Sequence, residues 1–126
     1  MYKAVLPGKH ADIAQALNNL GIAYSVNGDR NKAIDYCKKA LEIYKAVVPA
    51  KHADIARTLN SLGVLFAANG EISKAIECYE EALEIYQAVL PAKHSDITNT
   101  LTNFGDAFGV LGEHDKAKLY YMEALG

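Results

Sequence analysis

The sequence predicts an all-α solenoid built from three antiparallel helix pairs. The 126 residues divide into three copies of one pattern, and each copy contains two stretches of helical periodicity bounded by recurring glycine or proline. A repeat of 42 residues is typical of stacked supersecondary units, none of which buries its apolar face alone. We therefore expect a single repeat domain over residues 1–126, wound as a right-handed superhelix, with a helical stub at the N-terminus.

The three copies align without gaps and begin at Tyr2, Tyr44 and Tyr86. They cover residues 2–43, 44–85 and 86–126, so equivalent positions lie 42 residues apart. Each copy has a first helix, called helix A, and a second, called helix B.

Helix A is predicted over residues 11–27, 53–69 and 95–111. In the first copy Ile13, Leu17, Leu20 and Tyr24 recur at spacings of three and four, which places them on one apolar face. A glycine follows at the equivalent position of each copy, where a left-handed residue commonly ends a helix. These glycines are Gly28, Gly70 and Gly112.

Helix B is predicted over residues 30–47, 72–89 and 114–125. Good N-capping side chains stand near each start, at Asn31, Ser73 and Asp115. Prolines at Pro49 and Pro91 end the first two helices. Each helix A also carries a central glycine, which costs about 1 kcal/mol relative to alanine. We expect these glycines to pack against small residues of helix B, in the pairs Gly21–Ala33, Gly63–Ala75 and Gly105–Ala117.

Eight positions that recur in every copy resemble the tetratricopeptide repeat, or TPR. In the second copy they are Leu59, Leu62, Gly63, Phe66, Gly70, Ala75, Tyr79 and Ala82. The long repeat and its "KHADIA" segment are similar to the repeats of kinesin light chains. The resemblance implies a scaffold without catalysis or cofactor, which binds a protein or peptide in a concave groove lined by helix A.

The family's groove positions correspond to three residues in each copy. They are Gln15, Asn18, Ile22, Arg57, Asn60, Val64, Asn99, Thr102 and Asp106. Amide side chains both donate and accept hydrogen bonds, so the three asparagines suit an extended peptide backbone. Some relatives clamp a terminal carboxylate with lysines and arginines of this groove, and the positions that correspond to that clamp carry neither residue here. The charges of Arg57 and Asp106 cancel, so charge does not favour an acidic ligand.

The two ends of the chain carry complementary parts of one pattern. Residues 1–7 match the last turns of helix B, and the chain closes at Gly126, where those turns are missing. We therefore expect a piece of a longer array. The alternative function is head-to-tail self-association. Solenoids need polar caps at their ends, this sequence shows none, and a contact between two unlike ends repeats from one copy to the next. It would use Tyr2, Val5, Leu6, Tyr121 and Leu125.

Composition and the remaining motifs exclude several other classes. Thirteen basic and 15 acidic residues leave a net charge of −2, without the basic surface that nucleic-acid binding requires. No apolar stretch is long enough to span a membrane. Two cysteines without close spacing predict neither a disulfide framework nor a zinc site, which favours a reduced, cytoplasmic setting.

Three histidines recur with the repeat, at His10, His52 and His94, each two residues before an aspartate. Ligands of one zinc ion must lie about 2 Å from it, whereas equivalent positions in a solenoid are a whole repeat apart. We expect these histidines to cap helix A, with the aspartates near its positive end.

Overall fold

In a computed structural model the chain is described over residues 7–49, 52–91 and 94–126, with side chains from His10 onward. These residues form six α-helices and no strand, which confirms the all-α prediction. The helices are α1 Pro7–Val26, α2 Arg30–Val47, α3 Ala53–Ala68, α4 Ile72–Val89, α5 Ser95–Val110 and α6 His114–Leu125.

The observed boundaries follow the predicted ones closely. The helices α2, α4 and α6 span the residues predicted for helix B, and α3 and α5 end one residue earlier than predicted for helix A. The first helix begins at Pro7, so His10 lies inside it. The predicted N-terminal stub, with Tyr2, Val5 and Leu6, lies outside the described residues.

Glycines with left-handed backbones end each helix A, as predicted. Gly28, Gly70 and Gly112 have φ of 87°, 83° and 81°. In the second repeat the Glu71 amide then donates to the carbonyl of Phe66 at 2.8 Å, which satisfies one of the last free carbonyls of α3.

The N-caps predicted for helix B were wrong by two residues. The capping residues are Asp29, Glu71 and Glu113, whereas Asn31, Ser73 and Asp115 lie in the first helical turn. The reason is that the left-handed glycine leaves only one non-helical residue before the next helix begins. Of these three capping residues, only Asp29 makes a side-chain bond to its helix, accepting from the Lys32 amide at 3.3 Å.

The chain divides into two compact units, Met1–Ala50 and Lys51–Gly126. Unit one contains the helix pair α1 and α2, which packs through small buried residues such as Ala14, Ala33 and Ala40. The half-buried rings of Tyr24 and Tyr36 stack in this unit with centroids 5.3 Å apart. The single domain expected over 1–126 stays a prediction.

Unit two contains α3 to α6. Its helices form the pairs α3–α4 and α5–α6, and α5 also packs against α4 and α3. Large side chains fill the centre of this unit: Tyr86 and Phe104 are almost fully buried, and the Phe104 ring lies 5.8 Å from that of Tyr79. The burial of large rings where α5 meets α4 is what joins the two helix pairs.

Rings of helix B fill the space beside two of the central glycines. A Cβ on Gly63 would lie 2.5 Å from Cε1 of Tyr79, and one on Gly105 would lie 2.5 Å from Cε1 of Tyr121. The nearest atoms are therefore ring atoms and not the expected alanines, because a tyrosine one turn further along helix B reaches across the interface. In the first repeat, a Cβ on Gly21 would lie 2.8 Å from Sγ of Cys37 and 2.9 Å from the Ala33 carbonyl oxygen, so the expected alanine is one of two close neighbours.

Candidate peptide-binding groove

An open groove of about 360 Å³ lies between α3 and α5 in unit two. Its walls are largely apolar, and Val64 and Val110 remain 45% and 70% exposed although both are large aliphatic side chains. The lining residues are Val64, Ala67, Gly70, Ile72, Tyr79, Asn103, Asp106, Ala107 and Val110.

One carboxylate of the groove is held by a phenol of α6. The hydroxyl of Tyr121 donates a short hydrogen bond to Oδ1 of Asp106. That bond, together with the negative charge it faces, raises the pKa of Tyr121. Burial, and to a smaller extent the charge of Asp106, raises the pKa of Tyr79 to about 12. Both phenols therefore stay protonated at neutral pH, and Asp106 is the one acidic side chain among the residues that line the groove.

A hydrogen bond between two amides joins α3 to α5 beside the groove. The Asn60 Oδ1 atom accepts from Nδ2 of Asn103 at 3.1 Å, whereas the nearby Thr100 hydroxyl donates to the Asp96 carbonyl of its own helix at 2.9 Å. The bond between α3 and α5 uses the oxygen of one amide and the nitrogen of the other. Among the described residues, the Asn60 NH₂ and the Asn103 carbonyl oxygen keep their capacity to bind a ligand.

The predicted basic residue of the groove is compensated locally. The Arg57 guanidinium lies 2.6 Å from Oδ1 of Asp54 and 3.7 Å from Oδ2 of Asp96. Two carboxylates thus surround one cation, and Asp106 adds a further negative charge. This part of unit two offers no net positive charge to an acidic ligand.

The structure brings only some of the six predicted groove residues of unit two together. Val64 and Asp106 line the groove, and Asn60 lies behind it through its bond to Asn103. Arg57, Asn99 and Thr102 are exposed but do not line it, and the Thr102 hydroxyl donates to the Thr98 carbonyl of its own helix. Residues of helix B, Ile72 and Tyr79, also contribute; the family pattern marked Tyr79 as core and gave no signal for Ile72.

In unit one the three predicted residues lie along α1. Gln15 is exposed, Ile22 is 45% exposed, and Asn18 turns toward α2, where its Oδ1 atom accepts from the Cys37 thiol at 3.4 Å. Burial raises the pKa of Cys37 to about 11, so the thiol stays protonated and donates this bond. Asn18 is therefore engaged by its own helix pair.

Of the residues predicted for self-association, the structure describes only those near the C-terminus. Leu125 is 90% exposed, whereas Tyr121 is 37% exposed and its ring lies beside Gly105. The residues Tyr2, Val5 and Leu6 lie outside the described part of the chain.

Two of the recurring histidines cap helices as expected. The Nδ1 atom of His52 accepts from the Asp54 amide at 3.0 Å, and that of His94 accepts from the Asp96 amide at 3.1 Å. Across residues 7–49, 52–91 and 94–126, no three His, Cys, Asp or Glu side chains converge as a metal site. No helix in that part of the chain has the length and apolarity needed to cross a membrane.

The sequence profile of the tetratricopeptide repeat matches residues 12–88 and 54–126. The chain therefore belongs to the tetratricopeptide repeat family, whose members are typically non-enzymatic protein-interaction scaffolds. A search of curated proteins gave no match.

Solved structures give the same fold and include the kinesin light chain type of repeat. BtubC (BKLC) of P. vanneervenii is 26% identical with a TM-score of 0.83, over 88% of this chain and 44% of that one. A Podosopora anserina protein described as a kinesin light chain with nearly identical TPR-like repeats is 17% identical, with a TM-score of 0.82, over 91% of this chain and 54% of that one. The TPR domain of Arabidopsis FLU is 19% identical with a TM-score of 0.80, over 92% and 94%. The chain thus spans about half the length of the first two.

Proposed function

We propose that this chain is a non-catalytic scaffold that binds an apolar peptide segment in the groove between α3 and α5. The observation that carries the proposal is the pair Val64 and Val110, two exposed aliphatic side chains on facing walls of one groove. Burying both under a ligand would release apolar surface from water, which stabilises a complex by roughly 25 cal/mol per Å² before the costs of association.

The surrounding polar groups suit a peptide backbone. The Asn60 NH₂ and the Asn103 carbonyl oxygen supply one donor and one acceptor near the groove, a combination that matches a peptide unit irrespective of its side chain. Asp106 and the compensated Arg57 disfavour an acidic segment. A neutral or basic segment with one or two aliphatic side chains is the ligand we expect.

Selection from a phage-displayed library of random dodecapeptides tests this proposal. Selected peptides should bind the unaltered chain and bind the double variant Val64→Glu, Val110→Glu at least tenfold more weakly by isothermal titration calorimetry. Val89→Glu is the matched control, since Val89 is a 41% exposed valine of unit two that does not line the groove. Selected peptides that bind all three proteins equally would contradict the proposal.

Self-association is the second candidate, and the exposed apolar residues of α1 favour it. Ile13 and Leu20 are 46% and 42% exposed, whereas their equivalents Ile97 and Phe104 are 3% and 2% exposed on α5, which packs against α4. A second copy could cover α1 with α6, whose Leu125 is 90% exposed, just as α4 covers α5.

Sedimentation velocity over a concentration series tests this second candidate. Association should weaken in Leu20→Glu and in Leu125→Glu but not in Val26→Glu, a matched control at an 83% exposed position of α1. A monomer at every concentration up to about 1 mM would refute self-association and leave the groove proposal intact.

A further inference from the structure

A second and larger crevice lies within unit two, between α4 and α6. Its volume is about 930 Å³, and α5 forms its floor. None of its residues lines the groove between α3 and α5, so the two surfaces are separate. The crevice is lined by Glu80, Leu83, Glu84, Gln87, Phe104, Phe108, Lys116, Leu119, Tyr120 and Glu123.

Stacked aromatic rings form the floor. The Tyr120 ring lies 4.8 Å from that of Phe104 and 5.5 Å from that of Phe108, in both cases nearly parallel. Leu119 is 65% exposed on the α6 wall. Aromatic faces bind both aliphatic groups and cations, and the Nζ of Lys116 already lies 5.3 Å from the centre of the Phe108 ring.

The walls are acidic. Glu80 and Glu84 lie on α4 and Glu123 on α6; all three are exposed, and none forms an ion pair with another residue in the described part of the chain. The only cation of the crevice, Lys116, lies 3.4 Å from Glu113 and is thereby partly neutralised. Three carboxylates against one paired amine leave the crevice with a negative potential.

We infer that this crevice is a docking site for a basic peptide segment of a protein partner. One or two apolar side chains of the segment would lie on the ring floor beside Leu119, and flanking arginines or lysines would meet the glutamates of the two walls. The α4 wall runs from Glu80 to Gln87, about 10 Å at 1.5 Å per residue, which matches a short helical or extended segment.

Charge selects this occupant over other macromolecules. Nucleic-acid phosphates and anionic lipid headgroups carry the same sign as the walls and would be repelled. A purely apolar partner would leave three carboxylates desolvated without partners, which costs free energy. A basic segment with one or two apolar side chains would both cover the aromatic rings of the floor and pair with the glutamates of the walls.

The probe for this inference is a fluorescein-labelled octapeptide of two leucines flanked on each side by three arginines, followed by fluorescence anisotropy at low salt. Glu84→Lys should weaken binding about fivefold or more, because it replaces an attraction by a repulsion. Glu77→Lys, an exposed glutamate of α4 outside the crevice, makes the same change in net charge and should weaken binding less than twofold.

A second matched pair tests the apolar floor. Leu119→Ser should weaken binding, whereas Met122→Ser should not, since Met122 is a 67% exposed residue of α6 outside the crevice. Equal effects of Glu84→Lys and Glu77→Lys, equal effects of Leu119→Ser and Met122→Ser, or no binding up to about 1 mM would each overturn the inference. Retained binding by the Val64→Glu, Val110→Glu variant separates this site from the groove.

Discussion

Two glycines in equivalent positions should respond differently to the same substitution. In both Gly63→Ala and Gly105→Ala, the new methyl would lie 2.5 Å from a ring carbon of the tyrosine on the partner helix. An ordinary van der Waals contact begins near 3.4 Å, so each ring must move by about 1 Å. The two tyrosines differ in their freedom to move: Tyr79 is 2% exposed, and Tyr121 is 37% exposed.

The Tyr79 ring cannot move without disturbing the core of unit two, because it packs at 5.8 Å against the ring of Phe104. Overpacking of this kind costs typically 1–3 kcal/mol, and the better helix propensity of alanine returns about 1 kcal/mol. We expect Gly63→Ala to lower the free energy of unfolding by about 1–2 kcal/mol. The Tyr121 ring can swing into solvent, and the helix propensity of alanine, about 1 kcal/mol, offsets part of the loss of its solvent-exposed bond to Asp106, so Gly105→Ala should cost clearly less than Gly63→Ala.

Urea denaturation followed by circular dichroism measures both changes. A double-mutant cycle assigns the cause: in a Tyr79→Ala background the clash is gone, so Gly63→Ala should become neutral or stabilising. The reasoning fails if Gly63→Ala is as stable as the unaltered chain, if Gly105→Ala is equally destabilised, or if the cost of Gly63→Ala persists without the ring.

Substitutions at four further positions have defined outcomes in the same denaturation assay. Gly109→Ala should stabilise unit two by up to about 1 kcal/mol because a Cβ there meets nothing within 4 Å, whereas Gly70→Ala should cost about 1–2 kcal/mol at φ of 83°. His94→Ala removes the acceptor of the Asp96 amide and should cost about 1 kcal/mol, with His94→Asn retaining most of the stability. Burial raises the pKa of Cys37 from 9.0 to about 11, so the protonated thiol contributes its full stability below pH 9.0, and that contribution is lost as the pH rises toward about 11. At pH 10.5 the Cys37→Ala variant should therefore have lost about 2 kcal/mol less of its free energy of unfolding than the unaltered chain. A pH dependence identical in both proteins would contradict that assignment.

The helix boundaries were predictable because they depend on local backbone chemistry. Helices end at the left-handed glycines Gly28 and Gly70 and before the prolines Pro49 and Pro91. These residues restrict the backbone of their immediate neighbours, so the helix ends can be predicted from the sequence without knowledge of the tertiary structure. The N-caps of helix B were misplaced although they too are local. The sequence alone does not give the number of non-helical residues after the glycine.

The details of the groove depend on contacts between repeats, which periodicity does not specify. The bond from Asn103 to Asn60 requires α5 to lie at one particular height along α3. The pairing of Gly63 with the Tyr79 ring requires a side-chain direction that spacing cannot give, and so alanine was the expected neighbour. The same limitation made Arg57, Asn99 and Thr102 equal candidates with Val64 and Asp106.

Comparison of α4 with α6 separates residues that the fold requires from residues that it does not. The buried Ala75 has an equally buried equivalent in Ala117. On the outer side, by contrast, Glu77 and Glu80 of α4 correspond to Leu119 and Met122 of α6, and all four are exposed. Since α4 tolerates charge at these positions, helix packing does not demand apolar side chains there. The proposed docking of a basic segment would give Leu119 a role on the wall of the acidic crevice, whereas nothing in the structure explains Met122, which lies outside it.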